Sequence, residues 1–126
     1  MGFRTDRQRV EGLGSAKEGT GHWWSQRITS IALIPLTILF IFPFAANLGA
    51  DYDVVRLSYA HPFNAIVAIL FIITVAAHLQ QGLQVVIEDY VHSKPVLTVA
   101  VTANTLFCWA LGLVGVFAVA KIAFSA

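Results

Sequence analysis

The chain has 126 residues, of which 57% are hydrophobic and 12% charged, with a mean hydropathy of +0.73. A soluble domain carries about 25% charged residues, so this composition excludes an ordinary water-soluble globule. The net charge of +1 gives no electrostatic footprint for nucleic acid. The single cysteine, Cys108, excludes an internal disulfide and reads as a small core residue.

In chain order, residues 1–21 form a polar, Gly-rich arm in which Arg4, Arg7, Arg9 and Lys17 stand against Asp6, Glu11 and Glu18. No apolar core follows the early arginines at signal-peptide distance, and the acidic residues argue against a transit peptide. The arm is expected on the membrane surface of a bacterial protein rather than of a mitochondrial precursor. Beyond it, residues 22–126 hold three runs free of Asp, Glu, Lys and Arg: Ile28 to Leu48, Pro62 to Ile87 and Pro95 to Ala120. Each reaches the roughly 20 residues that cross about 30 Å of hydrocarbon as a helix. None alternates as a barrel strand would. The expected architecture is all-α, with transmembrane helices near 24–48, 62–88 and 95–122. Three helices make a thin bundle, so a membrane partner is expected if a large cofactor is to be enclosed.

The first expected helix opens on Gly21-His22-Trp23-Trp24-Ser25-Gln26-Arg27. The tryptophans suit an interfacial belt. Arg27 lies just inside the apolar boundary, where it either snorkels to the interface or pairs its planar fork with a carboxylate. Gln26, Thr29 and Ser30 are minor polar contacts in this reading. Pro35 and Pro43 lie within the helix, which membrane helices tolerate when nearby groups satisfy the freed carbonyls.

The second expected helix starts at His61-Pro62, a proline position suited to a first turn. It carries His78 in the run FIITVAAHLQQGLQVVIEDYVH. From Asp89 at the helix end to His78 is about 16 Å at 1.5 Å per residue, close to the bilayer midplane. A midplane histidine is costly and a functional candidate. It reads as a residue hydrogen-bonded to a neighbouring helix, as an axial ligand to haem iron, or as a proton relay. Gly82, Val85 and Asp89 fall within roughly 40° of the His78 direction. His22, His61 and His92 lie too far along the bundle to face His78 across a porphyrin, so a six-coordinate haem needs its second ligand from another chain. Asp89 and Tyr90 mark a helix end in the interfacial belt. Tyr90 could also donate its phenol to a quinone carbonyl, with Asp89 orienting it or delivering protons. Gln80, Gln81 and Glu88 are read as packing or loop-solvating residues.

The third expected helix begins at Pro95 and brings no further Asp, Glu, Lys, Arg or His until Lys121. The arm plus Arg27 holds five of the eight Lys and Arg residues. By the positive-inside rule the N-terminus and second loop then lie in the cytoplasm or matrix, and the first loop and C-terminus outside.

The spacing from His78 to Asp89-Tyr90, within HLQQGLQVVIEDYVHSKP, together with Arg27-Ile28-Thr29-Ser30 and the three-helix layout, resembles the small membrane-anchor subunits of succinate:ubiquinone oxidoreductase, respiratory complex II. The resemblance covers nearly the whole chain. It implies that His78 is an axial ligand of haem b, that Tyr90 contacts ubiquinone with Asp89 in support, and that Arg27 lies near the haem propionates or the quinone pocket. His22 precedes Arg27 near the place where the family often has a histidine. The implied partners are a larger cytochrome b anchor supplying the second histidine, an iron–sulfur subunit, a flavoprotein subunit and membrane lipid. The implied location is a bacterial inner membrane. A cofactor-free structural anchor and a small proton-coupled transporter are the competing expectations.

Overall fold

The computed structural model describes residues 5–12 and 19–125. Of the expected arm, residues 1–4 and 13–18, including Arg4, Lys17 and Glu18, lie outside the described residues. Five helices follow in order: α1 (Asp6–Glu11), α2 (Thr20–Ala46), α3 (Tyr52–Ala60), α4 (Pro62–Tyr90) and α5 (Lys94–Phe124). The short α1 is opened by a capping box, in which Gln8 N–H donates to Thr5 Oγ1 at 3.2 Å and Thr5 N–H to Gln8 Oε1 at 3.3 Å.

Helices α2, α4 and α5 are each long and apolar enough to cross a membrane. The chain is a multi-pass helical membrane protein. Helix α2 starts four residues before the expected position 24, because hydropathy marks the apolar segment while the helix continues into Thr20-Gly21-His22 at the polar edge. It runs unbroken through Pro35 and Pro43. Helix α4 begins as its sequence suggests, with Pro62 in the first turn and His61 Nδ1 accepting from Phe63 N–H at 3.3 Å.

The first loop contains a helix that the hydropathy reading left out. Helix α3 packs against α4 and α5 at the end of the bundle away from Tyr90. Three contacts fasten it: Asn47 Nδ2 to Ser58 Oγ at 2.8 Å, Asn64 Nδ2 to the Ser58 carbonyl at 2.9 Å, and the Arg56 guanidinium on the Ser125 carbonyl. Burial pushes the Tyr59 phenol above the ordinary tyrosine range.

Helix α4 is the centre of the molecule, packed against α2 and against α5. Its two working faces are about 200° apart, the angle between residues two positions apart on a helix. One face carries Ala68, Ile72, Ala76 and Gln80 towards α5. There a Cβ on Gly112 would stand 3.0 Å from Ala76 Cβ, and one on Gly115 would stand 3.1 Å from Ile72 Cγ2. The buried residues of α5 on this seam are Asn104, Cys108 and Gly112, one helical turn apart. Small side chains let two backbones approach, which is how membrane helices gain contact when lipid gives them no hydrophobic drive. The other face of α4 carries Phe71, His78 and Val85, seven residues apart, towards α2. Phe71 stacks on Phe40 of α2 with ring centroids 4.4 Å apart.

Candidate functional site

Two turns beyond the Phe40–Phe71 stack, the α2–α4 seam turns polar. His78 Nδ1 lies 2.9 Å from Thr29 Oγ1, and His78 Nε2 lies 3.4 Å from the Gln26 amide nitrogen. The histidine is half-buried between the helices rather than facing outward. Thr29 and Ser30 lie three and four residues after Gln26, so both are its neighbours on the helix surface and the three form one polar patch on an otherwise apolar helix. That patch was the available signal. Composition alone gave those three residues only a minor role, whereas two of them are the partners of His78.

Above His78, towards the ends of α2 and α4 nearest Tyr90, the patch opens into a groove of about 930 Å³. His22, Gln26, Arg27 and Ser30 of α2 line one wall, and Gly82, Val85 and Glu88 of α4 line the other. Gly82 lines the groove on the α4 side, where a Cβ would stand at an ordinary contact distance of 3.5 Å from the Gln26 amide nitrogen. His22 Nε2 and Gln26 Oε1 are buried polar atoms without a hydrogen-bond partner among the described residues. The Arg27 guanidinium carbon lies 4.2 Å from the Trp23 ring centroid, a cation–π stack that holds the cation at the groove's edge. Trp23 stacks in turn on Trp24 at 5.7 Å.

The structure therefore gathers His22, Arg27 and the His78 neighbourhood on one seam. Asp89 and Tyr90 stand apart from it. They are the last two residues of α4, they do not line the groove, and Tyr90 is 79% exposed. Glu88, read from sequence as loop solvation, lies on the groove wall and accepts from Gln84 Nε2 at 2.8 Å. Gln80 belongs to the opposite face, where its amide nitrogen donates to Thr105 Oγ1 at 3.2 Å and its carbonyl accepts from Asn104 Nδ2 at 2.8 Å. No group of three or more His, Cys, Asp or Glu residues able to hold a metal ion occurs among the described residues.

These elements define a class: a three-span helical membrane anchor with a polar groove between its first and second spans. The chain belongs to the family described as the succinate dehydrogenase/fumarate reductase transmembrane subunit, whose model matches residues 1–119. It is similar to the succinate dehydrogenase hydrophobic membrane anchor subunit of Paracoccus denitrificans, 32% identical over all of this chain and 97% of that one. It is also similar to the anchor of the same name from Rickettsia bellii, 33% identical over 83% of this chain and 84% of that one. The succinate dehydrogenase membrane anchor subunit of Reclinomonas americana is 33% identical over 68% of this chain and 73% of its own. No solved structure matches the chain. Membership makes this chain a membrane-anchoring subunit of an enzyme complex, with the other subunits of that complex as its partners.

Proposed function

We propose that this chain is the small anchor of a succinate:ubiquinone oxidoreductase in a bacterial inner membrane, where it holds one side of haem b and one edge of the ubiquinone site. The observation that carries this reading is His78 itself, an imidazole held between α2 and α4 and in contact with Gln26, which lines the groove. The groove is lined by Gly82 and offers unpartnered polar atoms at His22 and Gln26. These residues fit a flat ring with polar substituents better than they fit lipid, because buried polar atoms cost free energy until something pairs with them.

In this reading His78 would offer a ring nitrogen to the iron of a bound haem b, and a histidine of a larger cytochrome b anchor would supply the other protein ligand. Arg27 presents planar donors to a propionate or to the quinone pocket, kept at the groove edge by its stack on Trp23. His22 adds a donor or acceptor on the same wall. Tyr90, exposed at the helix end, donates its phenol to a quinone carbonyl at the boundary with an iron–sulfur subunit, and Asp89 supports it. Haem b carries single electrons, and ubiquinone takes up two electrons and two protons on reduction. A flavoprotein subunit is the site of succinate oxidation, so this chain binds and positions rather than breaking bonds. The N-terminus and the turn at 91–93 face the cytoplasm.

One observation favours a cofactor-free anchor instead: both His78 ring nitrogens have neighbours within the chain, Thr29 and Gln26. A reduced-minus-oxidised spectrum of the purified complex separates the readings. His78→Ala is expected to abolish the b-type bands. Bands that survive the substitution remove His78 from the iron.

A further inference from the structure

A histidine that ligates a metal must present a bare nitrogen, and the hydrogen bond at its other nitrogen decides which one is bare. Thr29 sits 2.9 Å from His78 Nδ1. Its hydroxyl proton already has acceptors on its own helix, the Ser25 carbonyl at 3.1 Å and the Gln26 carbonyl at 3.0 Å. A hydroxyl has one proton to give and two lone pairs to accept with. With the proton directed to the α2 carbonyls, Thr29 Oγ1 can only accept from the imidazole. The Gln26 amide nitrogen, a donor, faces Nε2 at 3.4 Å. The opposite tautomer would set the Nε2–H against that amide N–H and would pull the Thr29 proton off its carbonyls. Both neighbours therefore select the same tautomer.

We propose that Thr29 is the positioning residue of His78: its hydroxyl accepts the Nδ1–H and so fixes the ring with its lone pair on Nε2. The proposal rests on the reading of His78 as a haem ligand. Thr29 is well suited to the task. It is a β-branched residue whose χ1 is fixed by the helix and by its back-bond to the carbonyls one turn earlier. Gln26 is the weaker neighbour, since its contact is long, and a side-chain rotation releases Nε2 without disturbing the Thr29 bond.

The test uses the whole complex and compares Thr29→Val, which keeps the shape and removes the acceptor, with Thr29→Ser, which keeps the hydroxyl. Loss of such a supporting hydrogen bond weakens metal binding by about 10- to 100-fold. Thr29→Val is expected to lose haem to a scavenging apoprotein within that range. Its haem midpoint potential is expected to shift upward, because an imidazole without an acceptor at Nδ1 donates less charge to iron. Thr29→Ser should keep the wild-type affinity and potential. If Val does not assemble, Thr29→Ala carries the same test without the branched side chain. Wild-type haem affinity and potential in Thr29→Val, with haem lost in His78→Ala, overturns the positioning role and leaves the ligand reading standing. Equal shifts in Val and Ser assign Thr29 to packing and overturn the proposal. Haem retained in His78→Ala overturns the underlying reading instead.

Discussion

The structure treats two of the polar side chains between its helices, Asn104 and His78, differently. Asn104 is 9% exposed on the α4–α5 seam, where its amide donates to the Gln80 carbonyl and its oxygen accepts from Cys108 Sγ at 3.5 Å. That is a closed account, as expected of a polar residue that only joins helices. His78 lies on the opposite face of α4 with one short contact and one long one, beside a groove that still holds unpartnered polar atoms. An open arrangement of this kind is the one that suits a ligand. Tyr90 carries the residue-scale prediction for the other end of α4. Tyr90→Phe removes one hydroxyl from a 79% exposed ring, so folding should not change. Quinone reduction is expected to slow while succinate oxidation with an artificial acceptor continues, and unchanged quinone kinetics would take Tyr90 out of the site.

At the scale of elements, the spacing of small residues explains why α4 and α5 pair so closely. Ala68, Ala76, Gly112 and Gly115 remove side-chain bulk where the two backbones meet, and Gly112 has room for almost nothing more. Gly112→Val is expected to overpack this seam and to destabilise the chain by about 1–3 kcal/mol. A lowered thermal midpoint of the detergent-solubilised complex would register this, and an unchanged midpoint would show that the seam can open without cost. The α2–α4 seam is looser because Gly82 faces a groove rather than a backbone. Helix α3 also belongs to this scale. Its nine residues are too few and too polar to register as a span. What makes them a helix is the fastening of Ser58 and Arg56 to the ends of α2, α4 and α5.

For the whole molecule, the decisive quantities are charge asymmetry and surface. Five of the eight Lys and Arg residues precede Ile28, and by the positive-inside rule this asymmetry predicts an N-terminus on the cytoplasmic side. In a Cys108→Ser background, Asp53→Cys on α3 should react with a membrane-impermeant thiol reagent in intact cells, whereas His92→Cys in the α4–α5 turn should react only after lysis. The reverse pattern would invert the topology and move Tyr90 to the wrong side for an iron–sulfur partner. Much of α2 and α5 remains apolar and exposed, as at Ile31, Ile34, Phe42, Leu113 and Phe117, and these faces meet lipid or the other subunits. A bundle with so little interior encloses no large group by itself.

Hydropathy and helix geometry were enough to give the three spans, the prolines Pro62 and Pro95 at helix starts, and the distance of His78 from Asp89 and Tyr90 along α4. These follow from periodicity along one chain, which a sequence carries directly. The sequence also held the family resemblance, through His78, Asp89, Tyr90 and Arg27. It could not give α3, whose stability comes from contacts with the ends of three other helices. Nor could it give the pairing of α2 with the His78 face of α4, or the groove that places Arg27 and His22 on that seam while leaving Tyr90 outside. Residues 49 positions apart, such as Thr29 and His78, meet only because α4 packs between two neighbours and presents a different face to each. Which face goes to which helix is decided by close packing and hydrogen bonding between helices, and that is a property of the tertiary structure.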